Sequence, residues 1–301
     1  MEGCKTVRIA PQRFGDVKQR FTDEVLAVMD DCYSRINADA LEIVDLYLFD
    51  KSSAMNAFLA EEKRKLGIAT SAFGASFFAF HDAWRGTPRI MLAYDRMSIL
   101  PELVRVGSLH HEVAHTVLHG SLEYYSFAVP TSLSRLADEG LVSRRIVGDL
   151  LYLVSIAVKD YEVARLLYEN GFVEDQVAYN EYLLEPSEED REAWKLSRRN
   201  ESARLLTLVS LLKTACCAAP LLNDAIYGQG MSESIAGSMN YLPKELSTHL
   251  SKTLEAASKF GQNTHENVDL FMRKIIDELV IEGGQSNSGG ISDAFPQFSR
   301  I

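Results

Sequence analysis

Two histidines separated by three residues, with a glutamate directly after the first, occur in the run HHEVAHTVLHG at residues 110–120. On a helix, His111 and His115 stand one turn apart on one face, so two imidazole nitrogens can reach a single metal ion. Glu112 is rotated around the helix from that pair, where it can accept a proton from a water that the metal polarises. The chemistry this arrangement serves is metal-assisted hydrolysis, with zinc as the ion and Glu112 as general base.

The helix that must carry these residues starts near Pro101, a residue suited to the first helical position, and Glu102 complements the positive end of its dipole. Gly120 supplies the stop. Leu103, Val106, His110, Val113, Ala114 and Val117 repeat at helical spacing and are expected to form the core face, leaving His111 and His115 to a cleft. Upstream, helices are expected over Phe21–Ile36 and Ser52–Leu66. Strands are expected at Leu41–Phe49, Ser76–Phe80 and Arg89–Tyr94, the last two joined by a turn at Arg85–Pro88. Leu141–Glu169 is apolar almost all round, which implies a buried helix. The charged stretch 185–200 reads as a solvated boundary, 202–281 as helical, and the GGQSNSGG-containing end as a flexible tail.

The run at 110–120 resembles the active-site helix of the zincin metallopeptidases, and more narrowly the ImmA/IrrE-like group. The resemblance covers about residues 40–120 and extends to about 170. It implies peptide-bond hydrolysis, zinc held by His111 and His115, and an acidic third ligand on a later helix. Glu162, in VKDYEVARLL, lies in a segment similar to the acidic helix of that group. From the residues themselves, Lys159, Asp160 and Glu162 interrupt an otherwise apolar helix, and buried carboxylates need a partner such as a metal or a ligating histidine. Ser155, Lys159 and Glu162 share a narrow polar stripe that solvent could also explain, whereas Asp160 points among apolar neighbours. Glu139, in LADEGL, is a second alternative, 24 residues after His115. Glu162 is the leading ligand, with Glu139 and Asp160 as alternatives; an Asp160 outside the ligand set could orient a ligating histidine. His119 is eight residues from His111, roughly 12 Å along a straight helix, too far for all three histidines to close on one ion. It is expected to support a ligand, face substrate or sit on polar surface, and His110 to be structural. Tyr124 and Tyr125 could polarise an intermediate, but packing is the more ordinary role for aromatics there.

The fold class these signals predict is α+β: a zincin-like domain over 1–184, a helical C-terminal region over 185–282 and a tail over 283–301. Net charge is −11 with acidic residues scattered, which argues against a nucleic-acid partner. The N-terminus lacks a signal-peptide core, and the 205–222 stretch, broken by Lys213 and Pro220, is the one weak membrane candidate; no span is expected. Four cysteines without a CxxC pair suggest neither disulfides nor a thiolate site, and a cytoplasmic setting fits. The expected activity is a zinc metallopeptidase acting on a protein or peptide substrate. The rivals are a non-catalytic helical interaction or regulatory protein retaining a zinc site, and a zinc hydrolase of a non-peptide amide.

Overall fold

The computed structural model describes residues 7–65 and 78–282. The chain divides into two compact units between Leu122 and Glu123. In the first, β1 (Arg8–Phe14), α1 (Gln19–Arg35), β2 (Ile43–Phe49), α2 (Ser52–Lys65), β3 (Ala79–Asp82), β4 (Arg89–Ala93), the short α3 (Tyr94–Met97) and α4 (Glu102–Leu118) follow in order. The sheet has the order β1-β2-β4-β3. β1 and β4 both run parallel to β2, and β3 pairs antiparallel with β4.

The expected hairpin forms. Its turn is closed by Gly86 N–H donating to the Ala83 carbonyl, with Gly86 in the left-handed region that glycine tolerates. β1 has no counterpart in the sequence reading. It contains Pro11 and is largely exposed, which an edge strand accommodates because a proline costs no ladder bond on the open side.

Strand alternation sorts the side chains of β3 and β4 between two faces. Phe80 lies opposite Met91 and Asp82 opposite Arg89; on the other face His81 lies opposite Ile90 and Ala79 opposite Leu92. The first face packs on α2, where Tyr47, Phe49, Met55, Leu59 and Met91 form a buried cluster against Phe14, Phe58 and Phe80. Arg89 is buried there too. It donates to both oxygens of Asp82, at 2.6 and 2.9 Å, and to both oxygens of Glu62 on α2. Its guanidinium also faces the Tyr47 and Phe58 rings. Two buried carboxylates need more than one cation, and Arg85, itself exposed, reaches Glu62 at 2.6 Å. This network fixes β3 to β4 and both to α2. The opposite face receives α4, which also packs on α1.

The second unit is helical: α5 (Thr131–Asp138), α6 (Val147–Glu169), α7 (Glu174–Leu184), α8 (Glu188–Ser197), α9 (Glu201–Ala218), α10 (Gly228–Ser238), α11 (Lys244–Leu254) and α12 (Thr264–Ile275). α6 and α9 pack along one another at its core, with α12 also against α6. These contacts explain why the compact division comes at 122/123 rather than at the expected 184/185. The apolar surface of α6 is buried against helices that follow 185. The charged stretch 185–200 is not an open linker: Ser187 and Asp190 form a reciprocal capping box, and α8 buries Trp194. Glu201–Asn223 is long and apolar enough to cross a membrane, yet over half of its most apolar window, 56%, is buried. Cys32, Cys216 and Cys217 are buried and form no disulfide among the described residues. The expected tail at 283–301 and Cys4 lie outside the described residues, as does the start of the expected strand Ser76–Phe80.

Together these units give an α+β protein with a small mixed sheet and predominant helix.

Candidate metal and hydrolytic centre

α4 begins after Pro101 and ends at His119, whose backbone N–H donates to the His115 carbonyl at 2.7 Å. Gly120 follows because nothing larger fits. A Cβ there would stand 2.2 Å from the Thr116 carbonyl oxygen and 2.9 Å from Pro88. The chain must therefore leave the helix directly behind the motif.

From Gly107 to Thr116 every residue of α4 is buried, so the expected separation of a core stripe from an open histidine face is not observed. Leu103, assigned to that stripe, is 49% exposed because the enclosed part of the helix begins a turn later, and Val106 and Val117, flanking that part at its two ends, are half-buried. His110, Val113 and Ala114 are buried as expected. Thr116 ties the helix to α1. Its hydroxyl donates to the Val113 carbonyl at 2.7 Å, so the Tyr33 hydroxyl, 2.8 Å away, must donate to it. Burial holds the Tyr33 phenol well above the usual tyrosine range.

The three histidines of the motif form a chain. His111 Nε2 and His115 Nε2 stand 3.1 Å apart, and His115 Nδ1 stands 3.1 Å from His119 Nδ1. Two nitrogens bound tetrahedrally to zinc at about 2.0–2.1 Å are roughly 3.3–3.4 Å apart, so the first pair needs only a small adjustment to share an ion. The second contact suits a ligand's support. With Nε2 turned to His111, a proton on His115 Nδ1 can be donated to His119, fixing the tautomer and the ring plane of His115.

Glu112 lies beside this pair and contacts a residue absent from the sequence reading. His81 Nδ1 is 2.6 Å from Glu112 Oε2, and the His81 ring lies parallel to that of His115, with centroids 3.8 Å apart at 12°. His81 reaches α4 because β3 alternation turns it away from the Arg89 network that anchors its neighbour Asp82. Its signal in the sequence was faint: one histidine in a short strand, 30 residues before the motif.

The acidic residues expected to complete a ligand set belong to the helical unit, and their surroundings differ. Glu139 is exposed just past α5, its carboxylate 3.6 Å from the solvated Arg135. Glu162 is buried, not solvent-facing. Thr264 Oγ1 donates to one of its oxygens at 2.8 Å and Asn267 Nδ2 to the other at 2.6 Å, both from the first turns of α12. The positive end of α12 favours a carboxylate there. Lys159, one turn earlier, is also buried; its ammonium donates to the Tyr124 carbonyl and faces the Tyr125 ring. Burial pulls the Lys159 ammonium below the usual lysine range, while Asp160 and Glu162 oppose that shift. Asp160 is half-buried and lies near Cys216, whose thiol is pushed well above its ordinary range by burial first and by Asp160 second. The Tyr124 phenol is raised above the usual tyrosine range by burial first and then by Glu123 and Glu162.

Comparison with protein-family models, with curated proteins and with solved structures finds no match.

Proposed function

We propose that this chain is a zinc-dependent metallopeptidase with Glu112 as general base. One observation carries the reading: His111 Nε2 and His115 Nε2 approach to 3.1 Å on a buried helix turn that also presents Glu112. Two imidazoles one turn apart, a ring nitrogen behind one of them and an adjacent carboxylate form a donor set that suits zinc.

In this reading His111 and His115 hold the ion, and His119 keeps His115 in the tautomer that leaves Nε2 unprotonated. Zinc supplies Lewis acidity toward the attacking water and the scissile carbonyl. Glu112 accepts the water proton and returns it to the departing amine, so the carboxylate ends the cycle as it began. Its Oε2 is held by His81, which leaves Oε1 to meet the water.

The third ligand is proposed to be a carboxylate following the motif. Using Glu162 would forfeit the bonds from Thr264 and Asn267, and using Glu139 would draw in a residue that is solvated at the end of α5.

Peptide substrates are favoured over other amides by the sheet. Among the described residues β3 pairs only with β4, and a strand edge takes up an extended peptide through backbone hydrogen bonds. β3 also carries His81, which touches Glu112. A non-catalytic zinc site would have no use for a carboxylate tethered beside its ligands, which weighs against the interaction-protein reading.

The test is zinc content together with peptide hydrolysis. Glu112→Gln is expected to keep zinc and lose hydrolysis, and His115→Ala to lose both. A Glu112→Gln protein as active as the parent would sink the proposal.

A further inference from the structure

We propose that His81 is the positioning residue for Glu112: its Nδ1–H holds the carboxylate in the orientation that proton transfer requires. The inference rests on the peptidase reading and adds to it a residue that lies outside the HEVAH run.

An ionised carboxylate can only accept, so the proton in the 2.6 Å contact between His81 Nδ1 and Glu112 Oε2 resides on the imidazole. A glutamate side chain has three rotatable bonds, and a free one spreads its oxygens over several ångströms. A proton acceptor displaced by about 1 Å can cost on the order of 100-fold in rate. His81 removes that freedom, and it is itself held on two sides. Its backbone lies on β3, paired with Ile90 of β4 and followed by Asp82, which Arg89 grips with two hydrogen bonds. Its ring lies flat on that of His115. The Arg89 network on β3 and β4 is thereby linked to the carboxylate through the His81 side chain, in addition to the packing of α4 on those strands. Glu112 is buried, so little water competes for Oε2.

Two substitutions separate the donor from the ring. Asparagine places an amide N–H near the position of Nδ1 and discards the ring, whereas phenylalanine keeps a ring against His115 and discards the donor. With zinc saturating, His81→Phe is expected to lower kcat about 10- to 100-fold while KM and zinc affinity stay within about twofold. His81→Asn is expected to retain kcat within about threefold of the parent. Equal impairment of the two variants, equal health of the two, or a loss confined to zinc binding would each overturn the assignment.

A second readout needs neither metal nor activity. In the zinc-free protein, proton NMR should show a downfield imidazole N–H resonance that disappears in both His81→Phe and Glu112→Ala. Its absence from the parent, or its persistence in Glu112→Ala, overturns the proposal by itself. If the parent binds no zinc and cleaves nothing while this resonance behaves as expected, the peptidase reading has failed and the His81–Glu112 link has not.

Discussion

Glu112 in the sheet-containing unit and Glu162 in the helical unit are both buried carboxylates, and they are held in opposite ways. Glu162 has each oxygen occupied by an uncharged donor, Thr264 on one and Asn267 on the other, beneath the positive end of α12. Among the described residues Glu112 is gripped at a single oxygen, by an imidazole that also lies against a histidine of the motif. A carboxylate satisfied on both oxygens fastens two helices together. One held at a single oxygen is oriented and still has an oxygen with which to react. Burial alone therefore does not separate the two carboxylates; how many of their oxygens are engaged does, and the proposed base is the one with an oxygen to spare.

The sharpest way to break this comparison is to neutralise each carboxylate in turn. Glu112→Gln is expected to lower the rate of peptide hydrolysis by about 10²–10⁴-fold with zinc content unchanged, measured by steady-state kinetics and metal analysis. Next in size is the network that holds β3. Arg89→Met removes the buried cation that Asp82 and Glu62 share, leaving the exposed Arg85 on Glu62 and Lys63 near Asp82, and should cost about 3–5 kcal/mol in denaturant unfolding. Because β3 carries His81, hydrolysis should fall as well, even under conditions where the variant is folded. Glu162→Ala strands the Thr264 and Asn267 donors, and about 1–3 kcal/mol of stability should be lost while zinc content is preserved. Zinc loss in that variant would return Glu162 to the ligand set and erase the contrast drawn above. Smallest is Glu139→Ala, whose carboxylate is solvated; stability should change by no more than about 0.5 kcal/mol and zinc content should not change.

The regular elements that position the motif were legible because each has its own local signature. The β-branched and aromatic run ending at Phe49, the turn containing Gly86, and the Pro101–Gly120 frame mark β2, the hairpin and α4 without reference to anything distant. The two histidines and Glu112 were legible for the same reason, since their relation is set by helical spacing alone. β1 was missed because a proline and polar residues mask a strand that needs only one partner. His81 was missed because its meaning depends on strand register, which no short window contains. The need of Glu162 for partners was legible, but not which residues supply the hydrogen bonds it makes. A buried carboxylate on an apolar helix does need compensation, and Thr264 and Asn267 provide it from more than 100 residues away. The division at 122/123 was hidden likewise, because the surface that α6 buries lies on helices after the charged segment.

The central claim is that His111 and His115 hold zinc, and metal analysis of the purified protein at neutral pH, after removal of loosely bound ions, tests it most directly. The account predicts about one zinc per chain in the parent and none in a His115→Ala variant whose circular dichroism matches it. A folded parent that retains no zinc, or a His115→Ala variant that retains it in full, contradicts the account.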